Sequence, residues 1–117
     1  AKTMNPVQFY KCLSDDTRLR CLMLIEREKE LCVCELTESL QVSQPKVSRH
    51  LAQLRECGLL TDRRAGQWVF YSINTGLPQW AIDVIGLTAE KNIEFISSNH
   101  KQLLNMGSRP EGINQCC

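Results

Sequence analysis

Residues 43–58 place the tightest limit on what this chain can fold into. Val47, Leu51 and Leu54 fall at i, i+4 and i+7, which builds one buried stripe along a helix. Ser43 stands where a helix cap belongs, Pro45 fits a first turn that needs no amide partner, and Gly58 supplies the stop. Just before it, Gln41-Val42-Ser43 is a tight turn following a short helical pattern from Val33 to Leu40. Just after it, Leu59 to Ala65 and Gln67 to Ile73 read as two strands about an Ala65-Gly66 turn, because Trp-Val-Phe-Tyr-Ser-Ile is aromatic and β-branched. Two helices across a short turn, followed by a hairpin, predict a winged helix-turn-helix, a mainly α fold with one β-hairpin.

The flanking sequence fits around that unit. Pro6 to Leu13 predicts a first helix with Val7, Phe9, Tyr10 and Leu13 on its apolar side. Ser14 or Asp15 can cap a second helix running to Glu28, whose Leu19, Leu22, Met23, Leu24 and Ile25 leave little polar face, so it is expected at the centre. From Pro78 to about Met106 apolar residues recur mostly at three- and four-residue steps, which predicts one long helix. Such a helix outruns a core of this size, and its surplus apolar face, with that of the first helix, is expected to pack against a second copy in a homodimer. Residues 1–106 are thus expected as one DNA-binding and dimerisation domain, and 107–117 as a mobile tail with vicinal cysteines. No apolar run approaches the ~20 residues of a membrane span, and the start lacks the apolar stretch of a secretion signal, so a cytoplasmic protein is expected, with no membrane partner.

A net charge of +1 conceals an uneven distribution. Residues 41–74 hold five basic residues (Lys46, Arg49, Arg55, Arg63 and Arg64) against Glu56 and Asp62, while the remainder has nine against eleven. A basic patch on a near-neutral protein is the footprint of local phosphate contact. With the stripe inward, Ser43, Gln44, Lys46, Ser48, Arg49 and Gln53 lie where they can reach the bases or phosphates of double-stranded DNA. His50, at the margin of that arc, reads either as a DNA contact or as a half-buried structural histidine. Arg63 and Arg64, beside the hairpin turn, suit phosphate or minor-groove contact. Trp68, Phe70 and Tyr71 lie within the strand and read as packing residues.

Seven cysteines cannot all pair within one chain, and a reducing compartment keeps thiols available for metals or redox work. Cys32-Val33-Cys34 is the sharpest chemical feature: soft thiolates select thiophilic ions, although two small packed hydrophobes satisfy the same pattern. On an intact helix residues i and i+2 point about 200° apart, so holding one ion between these two is expected to need local unwinding. Cys12 and Cys21, inside apolar helices, read as packing; Cys57 and the tail pair Cys116 and Cys117 stay open. No Cys-x-x-Cys lies beside a βαβ pattern and no motif pairs a nucleophile with a base, which argues against an enzyme.

Glu30-Leu-Cys-Val-Cys-Glu-Leu, Ser43-Gln-Pro-Lys-Val-Ser-Arg-His-Leu, Cys57-Gly-Leu-Leu and Arg63-Arg-Ala-Gly-Gln-Trp-Val together resemble the ArsR/SmtB family of metal-sensing repressors, closest to its arsenic-responsive branch. The resemblance implies a dimer formed by the first and last helices, bound to a two-fold-related operator. It implies release when trivalent arsenic, antimony or an organoarsenical binds Cys32 and Cys34, with no obligatory cofactor. Where that branch often has a third cysteine, this chain has Thr37, so a third sulfur, where one is used, falls to Cys116 or Cys117. A cadmium- or lead-responsive repressor and a thiol-redox repressor are the alternatives on the same scaffold. A zinc sensor is disfavoured, because Asp83 has no histidine two positions on and His100 stands alone.

Overall fold

A computed structural model describes residues 4–106. Helix α1 spans Pro6–Leu13, with Asn5 Oδ1 accepting from the Gln8 amide at 3.1 Å and Pro6 in its first turn. The next cap is Asp15: its carboxylate accepts from the Arg18 amide at 3.0 Å and opens α2, Asp16–Glu28. Ser14 instead closes α1, donating to Lys11 O at 2.8 Å. Cys21, Leu22, Met23, Leu24 and Ile25 are all buried, so α2 is the central helix that the sequence predicts, packed by α1 and by the elements that follow.

Lys29, with φ 78°, ends α2 and turns the chain into a two-residue strand, β1, Leu31–Cys32. Helix α3 (Val33–Leu40) and helix α4 (Gln44–Glu56) follow, joined by a turn in which Gln41 takes φ 56°. Ser43 occupies the cap position of α4, but its side chain makes no capping bond. Val47, Leu51 and Leu54 are fully buried, as their spacing predicts. Gly58 adopts φ 84°, a conformation an L side chain rarely takes, and the chain leaves α4 into the hairpin β2 (Leu60–Ala65) and β3 (Trp68–Ile73).

The sheet has three antiparallel strands in the order β1-β3-β2, one more than the predicted hairpin. Leu31 pairs with Tyr71 and Cys32 with Phe70, so the strand before α3 is stitched to the wing after α4. Beneath this joint Cys32 and Phe70 form a small buried cluster apart from the main core, with Cys34, Ala65, Trp68 and Met106 packed against it.

The predicted long C-terminal helix is broken. It runs as α5 (Gln79–Lys91), a 3-10 turn at Ile93–Ile96, and α6 (Ser97–Leu104). Asn92 donates its side-chain amide to Thr88 O at 2.9 Å and leaves the helical region at φ −128°, ψ 43°. Arg20 of α2 holds the break: its guanidinium donates to Phe95 O and, at 2.9 Å, to Asn99 Oδ1, and lies 4.0 Å from the Phe95 ring centroid. The break turns α6 back onto α3, and Asn99 donates to Ser39 O at 3.1 Å. Among the described residues, no helix is long and apolar enough to cross a membrane.

Val7 and Tyr10 of α1, Trp80 and Leu87 of α5, Ile93 and Leu104 stay exposed, at 65 % and 54 % for the first two. Replacing Arg20 with Met should cost about 1–3 kcal/mol by urea denaturation, the range for losing charged hydrogen bonds and stranding a carbonyl. Amide exchange should rise across residues 93–104 more than in α4; an even rise along the chain would show that Arg20 does not hold the break.

Candidate nucleic-acid interface and thiol site

Burial of Val47, Leu51 and Leu54 against α2 fixes which side of α4 meets solvent. Ser43, Gln44, Lys46, Arg49 and Gln53 are exposed and Ser48 is half-buried, so the predicted arc exists as a surface. Gln53 is partly spoken for, because its Oε1 accepts from Arg18 at 2.9 Å. His50 departs from the arc. Only 6 % exposed, it lies with the buried stripe, its Nε2 3.7 Å from Asp15 Oδ2 and its Nδ1 without a hydrogen-bond partner among the described residues. Position 50 stands three residues after Val47 and four before Leu54, which places it on the inward face, and a DNA contact from this ring is not compatible with that burial. The backbone hydrogen bond from Arg18 holds the Asp15 carboxyl below its ordinary value, with the charges of His50 and Arg18 acting the same way against desolvation.

The two wing arginines also part company. Arg63 is paired within the protein: its Nε and Nη2 donate to the two carboxylate oxygens of Glu30 at 2.9 and 2.7 Å, and its guanidinium lies 4.8 Å from the Phe70 ring centroid. Arg64, next toward the tip at Gly66, is exposed. Arg55 in the last turn of α4 donates to Asp62 of β2 at 2.9 Å, which locks the base of the wing to α4. Lys46, Arg49 and Arg64 are exposed, while Arg55 and Arg63, with side chains 49 % and 51 % exposed, are also tied into the frame by their ion pairs.

The thiol pair corrects an expectation of the sequence. Cys32 is not helical: with φ −98° and ψ 173° it is the extended cap residue of α3, and only Cys34 lies on the helix. The Cys32 sulfur is fully buried and stands 3.5 Å from that of Cys34, which is itself disulfide-bonded in this form, so the two sulfurs approach with α3 intact. Two metal–sulfur bonds of ~2.3 Å meeting at about 100° span roughly this distance. The buried Glu35 carboxylate accepts from the Cys32 amide at 2.9 Å, and the Cys32 sulfur faces the Glu35 amide, which together form a capping box. Thr37, where a third cysteine is missing, donates its hydroxyl to Val33 O at 2.9 Å.

The remaining cysteines separate by environment. Cys21 is buried, and desolvation first, with the Asp15 charge second, pushes its thiol up to about 12. Cys12, read from sequence as packing, is joined by a disulfide to Cys57, which the sequence leaves open; 45 positions separate them, and no spacing rule pairs residues that far apart. Cys116 and Cys117 lie outside the described residues. His100 is held by Glu28 at 2.9 Å and Asp83 by Gln79 at 2.9 Å. Among the described residues no group of three or more His, Cys, Asp or Glu side chains is placed to hold a metal ion.

Comparisons with known proteins bear on the family and the fold. The family model for "Bacterial regulatory protein, arsR family" matches residues 15–62. The chain is 50 % identical over 113 residues to the arsenic resistance transcriptional regulator ArsR1 of Pseudomonas putida, covering 97 % of this chain and 88 % of that one. Among solved structures, HlyU from Vibrio cholerae matches with a TM-score of 0.67 at 32 % identity, over 75 % of this chain and 91 % of that one. The AntR antimony-specific transcriptional repressor matches with a TM-score of 0.59 at 29 % identity, over 75 % and 78 %.

The Glu30–Arg63 pair carries a pH signature. Hydrogen bonding from Arg63, aided by its charge and opposed by burial, holds the Glu30 carboxyl below its ordinary 4.5. A depressed carboxylate contributes stability above its unfolded value and loses it as pH falls through the folded one. Glu30→Gln should therefore destabilise the wing at neutral pH, with the difference from the parent chain constant above about pH 5 and shrinking under more acid conditions. Amide exchange of β2 and β3 against pH reads this directly; a difference that persists unchanged into strong acid would count against the pair.

Proposed function

The chain belongs to the ArsR family of bacterial regulatory proteins, and we propose that it is an arsenic-responsive repressor that leaves operator DNA when thiolates bind the metalloid. The observation that carries this reading is the 3.5 Å approach of the Cys32 and Cys34 sulfurs at the joint between α3 and the wing. A thiophilic ion bridging them acts on the first helix of the helix-turn-helix and on β3 through one residue, Cys32. Trivalent arsenic or antimony takes three sulfurs, and an organoarsenical with one carbon substituent takes two. Met106 packs on the Cys32 cluster, and Cys116 is ten positions further on, within the ~30 Å that ten residues can span. We assign Cys116 and Cys117 as donors of the third sulfur on that ground. The protein works in the cytoplasm, where its thiols stay reduced.

DNA is read as a homodimer. α4 enters the major groove, with Gln44, Lys46, Ser48, Arg49 and Gln53 turned toward it and Ser43 at its start, and Arg64 of the wing meets the backbone beside it. The exposed apolar residues of α1 and α5, together with Ile93 and Leu104, supply the surface for the second copy. Arg63 supports the wing through Glu30 rather than reaching DNA itself.

Two experiments test these roles. Titrating operator-bound protein with arsenite, followed by fluorescence anisotropy, should release the parent chain and leave a Cys32→Ser/Cys34→Ser chain bound. Removing Cys116 and Cys117 should weaken release by arsenite more than release by methylarsenite. Normal release from the double serine variant, or release of the parent chain by cadmium alone, would sink the reading. Separately, Arg49→Ala should relax base discrimination by about 1–3 kcal/mol, while Arg64→Ala should weaken binding across sequences and flatten the salt slope. Equal, sequence-blind losses at both would mean the reading face lies elsewhere.

A further inference from the structure

Cys12 and Cys57 take no part in the function proposed above. Cys12, in the last turn of α1, is 5 % exposed; Cys57, at the end of α4, is half-buried; their Cα atoms stand 6.6 Å apart and a disulfide joins them. Both line an open groove of about 460 Å³ shared with Lys11, Arg18, Gln53 and Glu56. Arg18 ties the place together, its guanidinium donating to Cys12 O at 2.6 Å, to Gln53 Oε1 at 2.9 Å and to Lys11 O at 3.4 Å. The Cys12 sulfur also stands 3.8 Å from Gln53 O, near the end of α4. In a reducing compartment such a pair rests as two thiols, and disulfides that do form there are transient and redox-sensing.

We propose that Cys12 and Cys57 form a peroxide-sensitive dithiol, separate from Cys32 and Cys34, whose disulfide clamps the end of the recognition helix to α1 and holds the chain in its operator-binding form. The inference rests on the DNA-reading part of the function proposed above and not on the metalloid part. Cys57, the more exposed of the two, reacts first. Its thiolate attacks one peroxide oxygen: the S–O bond forms, the O–O bond breaks, and hydroxide departs to leave a sulfenic acid. The Cys12 thiolate then attacks the Cys57 sulfur: the S–S bond forms, the S–O bond breaks, and a second hydroxide departs. The two protons shed by the thiols convert both hydroxides to water, so two thiols lose two electrons and one hydrogen peroxide becomes two waters. A dithiol reductant reverses the bond by exchange.

The clamp bears on DNA because α1 also carries the exposed Val7 and Tyr10. Fixing α4 to α1 fixes it relative to the surface that meets the second copy, and that surface sets the spacing of the two recognition helices. Cys21, buried with its raised pKa, stays out of the reaction.

The test is direct. The reduced full-length chain is treated with equimolar hydrogen peroxide, quenched, and digested with trypsin without reductant. Cleavage after Lys11, Arg18, Arg55 and Arg63 yields residues 12–18 and 56–63, and mass spectrometry should find them linked, with the link lost on adding dithiothreitol. In a Cys32→Ser/Cys34→Ser chain, the same treatment should raise the melting temperature and leave operator binding intact. Adding Cys57→Ser, or Cys57→Ala should the serine not fold, should abolish the rise. Absence of the 12–18/56–63 species, a different pairing in its place, or loss of operator binding on cross-linking would each overturn the proposal. Failure of the reduced parent chain to bind operator would instead overturn the DNA reading and, with it, what the clamp does; the linked peptide decides separately whether the dithiol exists.

Discussion

Cys32 satisfies two sets of backbone partners at once, and the rest of the architecture is arranged around that. On one side its main chain pairs with Phe70, which brings the wing back across the 37 residues between them to the strand before α3. On the other side its amide is taken by the Glu35 carboxylate, which starts α3. A residue shared between a strand and a helix cap cannot shift without disturbing both. The Arg63–Glu30 pair and the Arg63–Phe70 contact lie over the same joint, so the charge that braces the wing is anchored two residues from the thiols.

The arginines show how a near-neutral chain can hold a basic DNA-facing surface. Arg18, Arg20, Arg55 and Arg63 are each bound to backbone carbonyls or acidic and amide side chains within the fold. They orient helices and strands, and their charges are partly matched within the fold. Lys46, Arg49 and Arg64 are exposed on the same region, and the local arrangement of charge there matters more than the net count.

The helix-turn-helix was legible because its evidence is periodic: Val47, Leu51 and Leu54 repeat at helical steps, and β2 and β3 carry β-branched and aromatic residues. β1 was not legible, since two residues have no period and their pairing with β3 is set by distant chain. The break at Asn92 hid for a related reason: apolar spacing continues through it, and the interruption comes from Arg20, a residue of another helix. His50 was readable in principle, as it shares the inward face with Val47 and Leu54, but a polar type at the margin of an arc left two readings open. The helix start at Val33 is legible, but applying helical geometry to Cys32, one residue before it, is what misplaces the thiols. Counting Cys32 as helical turns its sulfur away from Cys34; recognising it as the extended cap brings the two together.

Cys32 as an extended cap changes how a metalloid, on the function proposed above, would act. A ligand alters operator affinity only through a difference in its affinity for the two states, so sulfurs that already meet need another source of coupling than unwinding. The cap provides one. In the described form the Cys32 sulfur faces the Glu35 amide at the start of α3. On the function proposed above, coordination would commit the sulfur's electron pair to the ligand, and α3 would lose part of its cap. Losing an N-cap costs about 0.5–2 kcal/mol, and allosteric couplings are typically about 1–3 kcal/mol, so such a loss would be of the size that coupling requires. The sulfurs need not move far for the helix ahead of the reader to be held less firmly.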